Sequence, residues 1–343
     1  MKIGRNQLCY CGSQKKYKNC CLRKDSKPTS KDVKNEISSL LKKSKIKECF
    51  HPQRENCKGK ISKAHAIQNN KILSKISEDG KVVMTHYTPK TPVEFAHIYG
   101  RKQATTFSGF CNYHDQEVFK DIDNKEFQEE IKQIFQYAYK AFVSEYYKKI
   151  TDCNFSGNFA NSNDIYKYLE KGQQMAVYDF LAKKLEFDNA IINENFNCLV
   201  NVVWEFDKEV NFAACGYYAP IVDLERNLIQ DLEKDEIVSH IYFNVFPESG
   251  RSIALLSWLK SDGKNLLNLQ KQLNSLSGKE REYYISNLVI DNTDNIVIKP
   301  SSWENLNEVE KQTFGMHEMR MFWQTESGFM SMIEEPEVNL FDL

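Results

Sequence analysis

The apolar positions of this chain change period along its length. From Asp32 to about Lys45, Val33, Ile37, Leu40 and Leu41 recur at helical spacing, which predicts a short amphipathic helix. In NKEFQEEIKQIFQYAYKAFVSEYYKKI, Phe127, Ile131, Ile134, Phe135, Ala138 and Phe142 trace one stripe. That stripe predicts a long helix with Asn124 as its N-cap and acidic residues in its first turn. A second helix is expected within NDIYKYLEKGQQMAVYDFLAKKLEF, paired antiparallel with the first and with aromatic rings filling the seam. From about Asn195 the pattern changes. NCLVNVVWEF, NFAACGYYAPIV, IVSHIYFNVF and SIALLSWLK read as strands between polar turns, and NLLNLQKQLNSL as an interleaved helix. A shorter hairpin is expected in SNLVIDNTDNIVIKP, turning at Asn-Thr-Asp-Asn. The whole predicts an α+β protein with a mainly antiparallel sheet in its C-terminal half.

These patterns divide the 343 residues into a cysteine module at 1–24, a linker and short helix at 25–45, a Cys/His-bearing segment with the helical pair at 46–190, an α+β domain at 191–330 and an exposed acidic tail at 331–343. No apolar run is long enough to span a bilayer, and MKIGRNQL lacks the apolar segment of a signal peptide. A cytoplasmic protein without a membrane partner is therefore expected.

Charge changes the picture more than composition does. The net charge is only −1, yet residues 1–60 carry 17 Lys/Arg against 5 Asp/Glu, leaving 29 against 42 in the rest. A basic head on an acidic body places any nucleic-acid contact near the N-terminus, although a solvated lysine-rich linker would show the same bias.

Seven of the ten cysteines lie in the first 111 residues. In a reducing compartment, clustered cysteines point to metal rather than disulfides. Cys153, Cys198 and Cys215 stand alone among apolar residues and read as small buried hydrophobes. Cys9, Cys11, Cys20 and Cys21 follow C-x-C-x8-C-C, and four thiolates complete a tetrahedral shell for zinc. Gly12 and Ser13 favour the turn that folds the first pair onto the second, and so small a module needs the metal for its folding energy. The stretch GRNQLCYCGSQKKYKNCC resembles the SEC-C motif, with Gly4, Arg5, Asn6, Gly12, Ser13 and Tyr17 matching as well. That resemblance implies a structural zinc and a docking surface for protein or nucleic acid.

A second set is looser. Cys49 and Cys57 bracket FHPQREN, and GFCNYHDQEVF supplies Cys111 and His114 at the entry to a helix. A two-cysteine hairpin followed by a distant Cys-x2-His is the ligand logic of a treble-clef zinc finger, giving three sulfurs and one nitrogen. His51 competes as a ligand and otherwise reads as a surface residue; His65 is an alternative to His114.

The arrangement resembles the HNH nuclease fold. The resemblance implies that His65 activates water and that Asp115, directly after His114, holds a further divalent metal beside the phosphate. The sequence departs from that pattern. No middle asparagine is identified, though Asn69 and Asn70 are near, and aspartate replaces the usual histidine or asparagine at the third position. Asp115 would serve equally as a helix cap. Lys90, Arg101 and Lys102, between the halves of the cluster, are candidates to grip phosphates or are solvated loop residues.

Taken whole, the chain is similar to zinc-finger effectors of bacterial antiphage defence, the ring-activated zinc-finger ribonuclease among them. That similarity implies RNA as substrate and an oligomeric phage protein as activator; self-association into a homo-oligomer is also left open. The competing reading is a non-catalytic zinc-dependent adaptor that binds nucleic acid or protein. A third places the active centre in the C-terminal half, where EFDKE and MHEMR offer carboxylates and His317 in no recognised spacing.

Overall fold

The computed structural model describes residues 4–22, 30–88, 94–159, 164–232, 234, 236–315 and 332–343. The chain divides between residues 43 and 44 into two compact units. In the first, residues 4–22 make a cysteine hairpin, and helix α1 (Ser30–Ser44) runs to the division.

The second unit is built on one sheet. Its strands are β2 (Lys81–Thr85), β3 (Ala96–Gly100), β5 (Leu199–Phe206), β6 (Phe212–Tyr218), β7 (Ile241–Glu248), β8 (Arg251–Leu259) and β9 (Ile296–Ile298). They lie in the order β3-β2-β9-β6-β7-β8-β5, every neighbouring pair antiparallel. The fold is therefore α+β, as the hydrophobic pattern predicts. The pairing of β2 with β9 carries the sheet across residue 190, where the sequence pattern had drawn a boundary, so strands from both sides share one set of ladder hydrogen bonds.

Alternation along the strands explains the layers. In β8, Ile253, Leu255 and Leu259 enter one apolar core, while Ala254, Leu256 and Trp258 enter another on the opposite face. The first core is closed by helices α2 (Asn112–Asn124), α3 (Ile131–Ser156) and α4 (Asp164–Ile192). The second is closed by α5 (Leu267–Ser275), α6 (Gly278–Asn292), α7 (Pro300–Asn305) and α8 (Glu308–Gly315). Helices α3 and α4 pack antiparallel, since Phe135 meets Phe187 at 5.7 Å and Phe142 meets Phe180 at the same centroid distance.

Three sequence expectations change. The helix expected to start at Asn124 starts instead at Ile131. Asn124 closes α2 by donating to the Lys120 carbonyl, and Glu130 precedes α3. Phe127 sits between them, its N–H bonded to the buried Glu248 carboxylate at 2.7 Å, so it fills the core without being helical. The hairpin expected at 286–300 is instead the end of α6 followed by β9. A capping box of Ser277 and Glu280 starts that helix and carries it through Leu288, Val289 and Ile290, all buried. The C-terminal residues 332–343 are not an exposed tail. Val338, Leu340 and Phe341 are buried, and the Leu340 N–H donates to Ser286 Oγ at 3.0 Å. Their apolar burial outweighs the surrounding carboxylates. Phe341 packs against Phe206 at 4.4 Å and Phe212 at 5.8 Å. Phe341→Ala should therefore cost about 3–5 kcal/mol, read as a lower denaturant midpoint at unchanged slope.

Among the described residues no helix is long and apolar enough to cross a membrane. Of the lone cysteines, Cys215 is fully buried and accepts from Asn295 Nδ2 at 2.8 Å, whereas Cys153 and Cys198 are only half-buried.

Candidate metal centres and His65

In the first unit the backbone folds Cys9–Cys11 over Cys20–Cys21. Leu8 bridges Lys16, the Cys9 N–H donates to the Lys15 carbonyl at 2.8 Å, and Tyr17 N–H reaches Gln7 at 2.7 Å. The turn needs a positive φ at Gly12 (+77°), a conformation that costs glycine nothing sterically. A single 3₁₀ turn, Tyr17–Asn19, then delivers the second pair. The four sulfurs lie within 4.8 Å of one another, and Cys11 and Cys20 are 3.4 Å apart. Hydrogen bonds from Ser13 pull the Cys11 thiol down to about 6, while Cys9 and burial push Cys21 up to about 12. A cation at the centre would relieve the repulsion between such thiolates.

The second centre joins two distant pieces of chain, Cys49–Cys57 and Cys111–His114. A 3₁₀ turn at Arg54–Asn56 lets the Cys57 N–H donate back to Arg54, closing the loop that begins at Cys49. Ile61 bridges Cys111, and the Phe50 N–H donates to the Gly109 carbonyl at 2.9 Å. A Cβ at Gly109 would lie 2.8 Å from the Phe107 ring and 2.9 Å from Phe50, so only glycine permits this approach. Cys111 itself caps α2, its sulfur accepting from the His114 N–H. Cys49, Cys57, Cys111 and His114 converge within 4.8 Å. The sulfurs lie 3.4, 3.6 and 3.4 Å from His114 Nδ1. Zinc–sulfur and zinc–nitrogen bonds at tetrahedral angles require an edge of about 3.6 Å, so this donor set fits zinc. Burial and the neighbouring Cys49 and Cys111 push the Cys57 thiol up to about 12.

His51 is not a ligand, and it is not on the surface. It is buried, its ring stacked on His114 at 3.8 Å, and its Nδ1 accepts from the Gln53 N–H. Burial, reinforced by the nearby His114 charge, drops it to about 4, which keeps it neutral against its neighbour. It thus supports the ligand from outside.

His65 ends the two-residue strand β1 (Ala64–His65), paired with β4 (Thr106–Phe107). The backbone of Arg101 and Lys102 hydrogen-bonds the ring, while Nε2 is buried without a hydrogen-bond partner. Burial, and then the Lys140 charge, hold His65 below the usual histidine range, against the opposing pull of Asp123. Asp115 accepts from Ser62 Oγ at 3.2 Å and does not cap α2, a place taken by Cys111. Burial raises the Asp115 carboxyl, again with Lys140 and Asp123 as its charged neighbours. His65 and Asp115 therefore both feel the ion pair of Lys140 Nζ with Asp123 Oδ1, 3.2 Å long, in which the lysine is buried and the aspartate exposed.

That pair was not read from the sequence. Lys140 lies on α3, inside a run of aromatic residues, and is 3% exposed with its ammonium 4.4 Å above the Phe119 ring. Nothing in its local sequence distinguishes it from a solvated helix lysine. Arg101 is tied to Asn69, its Nη1 donating to the backbone oxygen at 2.8 Å and to Oδ1 at 3.2 Å, whereas Lys102 is exposed. Asn70 accepts from Asn69. Lys90 and His317 lie outside the described residues. Among the described residues no third set of three metal-ligating side chains converges.

Among protein families, the SEC-C motif matches residues 5–23, which contain all four ligands of the first centre. No curated protein and no solved structure matches the chain.

Proposed function

We propose that this chain, a SEC-C-bearing protein with two metal-binding centres, is a nuclease-type effector that cuts RNA in antiphage defence once a partner assembly activates it. The observation that supports this most is the buried, unpartnered Nε2 of His65, whose ring feels the same Lys140 and Asp123 charges as the Asp115 carboxyl. A histidine held neutral by burial and by Lys140 has its lone pair ready for a proton at neutral pH. The backbone of Arg101 and Lys102 orients its ring. His65 would take the proton of the attacking oxygen, and Lys102 would meet the phosphate backbone as an exposed cation.

Asp115 would hold a divalent cation there; one carboxylate with waters and phosphate oxygens is a set magnesium accepts, and the ion would stabilise charge on the phosphate. RNA as substrate, the activating assembly and the defence role rest on the resemblance of the chain to zinc-finger effectors. The basic first sixty residues are consistent with a nucleic-acid partner.

The test is incubation of the full chain with labelled RNA and with labelled DNA, with and without EDTA, alongside induction of the gene in cells. Cleavage of RNA that EDTA suppresses, with arrest of growth, is the expected result. Salt-dependent binding with neither cleavage nor toxicity would instead make the chain a zinc-dependent adaptor.

A further inference from the structure

Helix α4 presents an apolar stripe on the side facing away from the first core. Met175, Tyr178, Leu181, Leu185 and Ile192 are 38%, 66%, 45%, 60% and 50% exposed, while Phe180 and Phe187 on the inner side are fully buried. Tyr178, Leu181, Leu185 and Ile192 fall at intervals of three, four and seven residues. That is the seam spacing of one helix packed along another. The Val238 backbone hydrogen-bonds Asp179, which sets Ile237, 50% exposed, beside the same stripe.

Two lysines of α4 are turned away from the stripe, and the exposed Lys171 stands at its N-terminal end. Lys183 pairs with Asp262 beneath the helix, and Lys184 pairs with Asp188; both lysines are buried. The six side chains offer on the order of 600 Å² of apolar surface per copy, above the scattered exposure normal for a monomer. Two copies meeting through it would bury on the order of 1,200 Å², where specific and stable interfaces begin.

We infer that α4 is the contact through which two copies of this chain associate, apolar stripe against apolar stripe about a two-fold axis. A second copy is the occupant because the stripe has the seam spacing of paired helices and, doubled about a two-fold axis, reaches the area a stable interface needs. The inference is independent of the nuclease reading, since it uses none of the residues of that reading and is read by mass alone.

The experiment is sedimentation velocity on the zinc-loaded full chain from about 1 to 100 μM, with Leu181→Glu/Leu185→Glu and Leu185→Met beside the wild type. The wild type and Leu185→Met should sediment as dimers in the micromolar range. The double glutamate variant should sediment as a monomer, its dissociation constant raised more than about 100-fold, because two carboxylates per copy would be desolvated at the seam. Both positions are exposed, so its far-UV spectrum and zinc content should be unchanged. A wild type that remains monomeric throughout would overturn the inference and leave the stripe to a different protein. A dimer that survives the double substitution would overturn it by placing the interface elsewhere.

Discussion

His65→Ala should abolish cleavage, by about 10²–10⁴-fold, while leaving zinc content and far-UV spectrum unchanged and lowering the melting temperature only by the loss of the Arg101 and Lys102 backbone bonds to the ring. The ring is half-buried, and its Nε2 makes no hydrogen bond within the protein, so removing it orphans no partner of that nitrogen. A purely structural histidine in this place would show the reverse, lost stability and retained chemistry. The pH profile separates the two roles further. Burial and Lys140 lower the His65 pKa, so the base form persists below the usual histidine range. Activity should rise with pH through a midpoint under about 6.5 and be level at neutrality. Lys140→Met removes the positive charge, so that midpoint should move upward. An acid limb that stays fixed in Lys140→Met, or full activity in His65→Ala, would remove His65 from the chemistry.

The second large effect concerns metal. The wild type should carry two equivalents of zinc, and each centre should be separable by one substitution. Cys111→Ser should lose one equivalent and unfold the segment around Cys49–Asn124. Cys111 is both a ligand and the cap of α2, and structural zinc contributes about 10–16 kcal/mol in small zinc modules. That exceeds or matches the whole stability of an ordinary domain, about 5–15 kcal/mol. The buried rings of Phe50, Phe107, Phe110 and Phe119 would then lose their frame, and the main melting transition should fall. Cys20→Ser should also lose one equivalent but leave that transition in place, because its module belongs to the separate unit ending at residue 43. Zinc by atomic absorption, with calorimetry on both variants, checks this. One equivalent in the wild type would dissolve one centre.

What the sequence determines by itself is what short-range chemistry and period determine. Four cysteines spaced over thirteen residues can converge within one hairpin, so the first centre was legible from the spacing of Cys9, Cys11, Cys20 and Cys21. Cys49, Cys57, Cys111 and His114 were legible as a donor set because thiols in a helix-entry pattern have few other uses. The strands and the α+β class followed from β-rich apolar runs between polar turns, whereas the assignment of alternate β8 residues to different cores needed the packed sheet. Tertiary structure decided the rest. Whether Leu288, Val289 and Ile290 lie in a helix or a strand depends on a capping box and a neighbouring sheet, because a short apolar run suits either. Whether 332–343 docks depends on a cavity edge formed by Phe206 and Phe212, more than a hundred residues away. Lys140 became part of the His65 surroundings only through the packing of α3 on α2, since the electrostatics of a buried charge are set by distance in space and local polarity, neither of which is encoded in its neighbours along the chain.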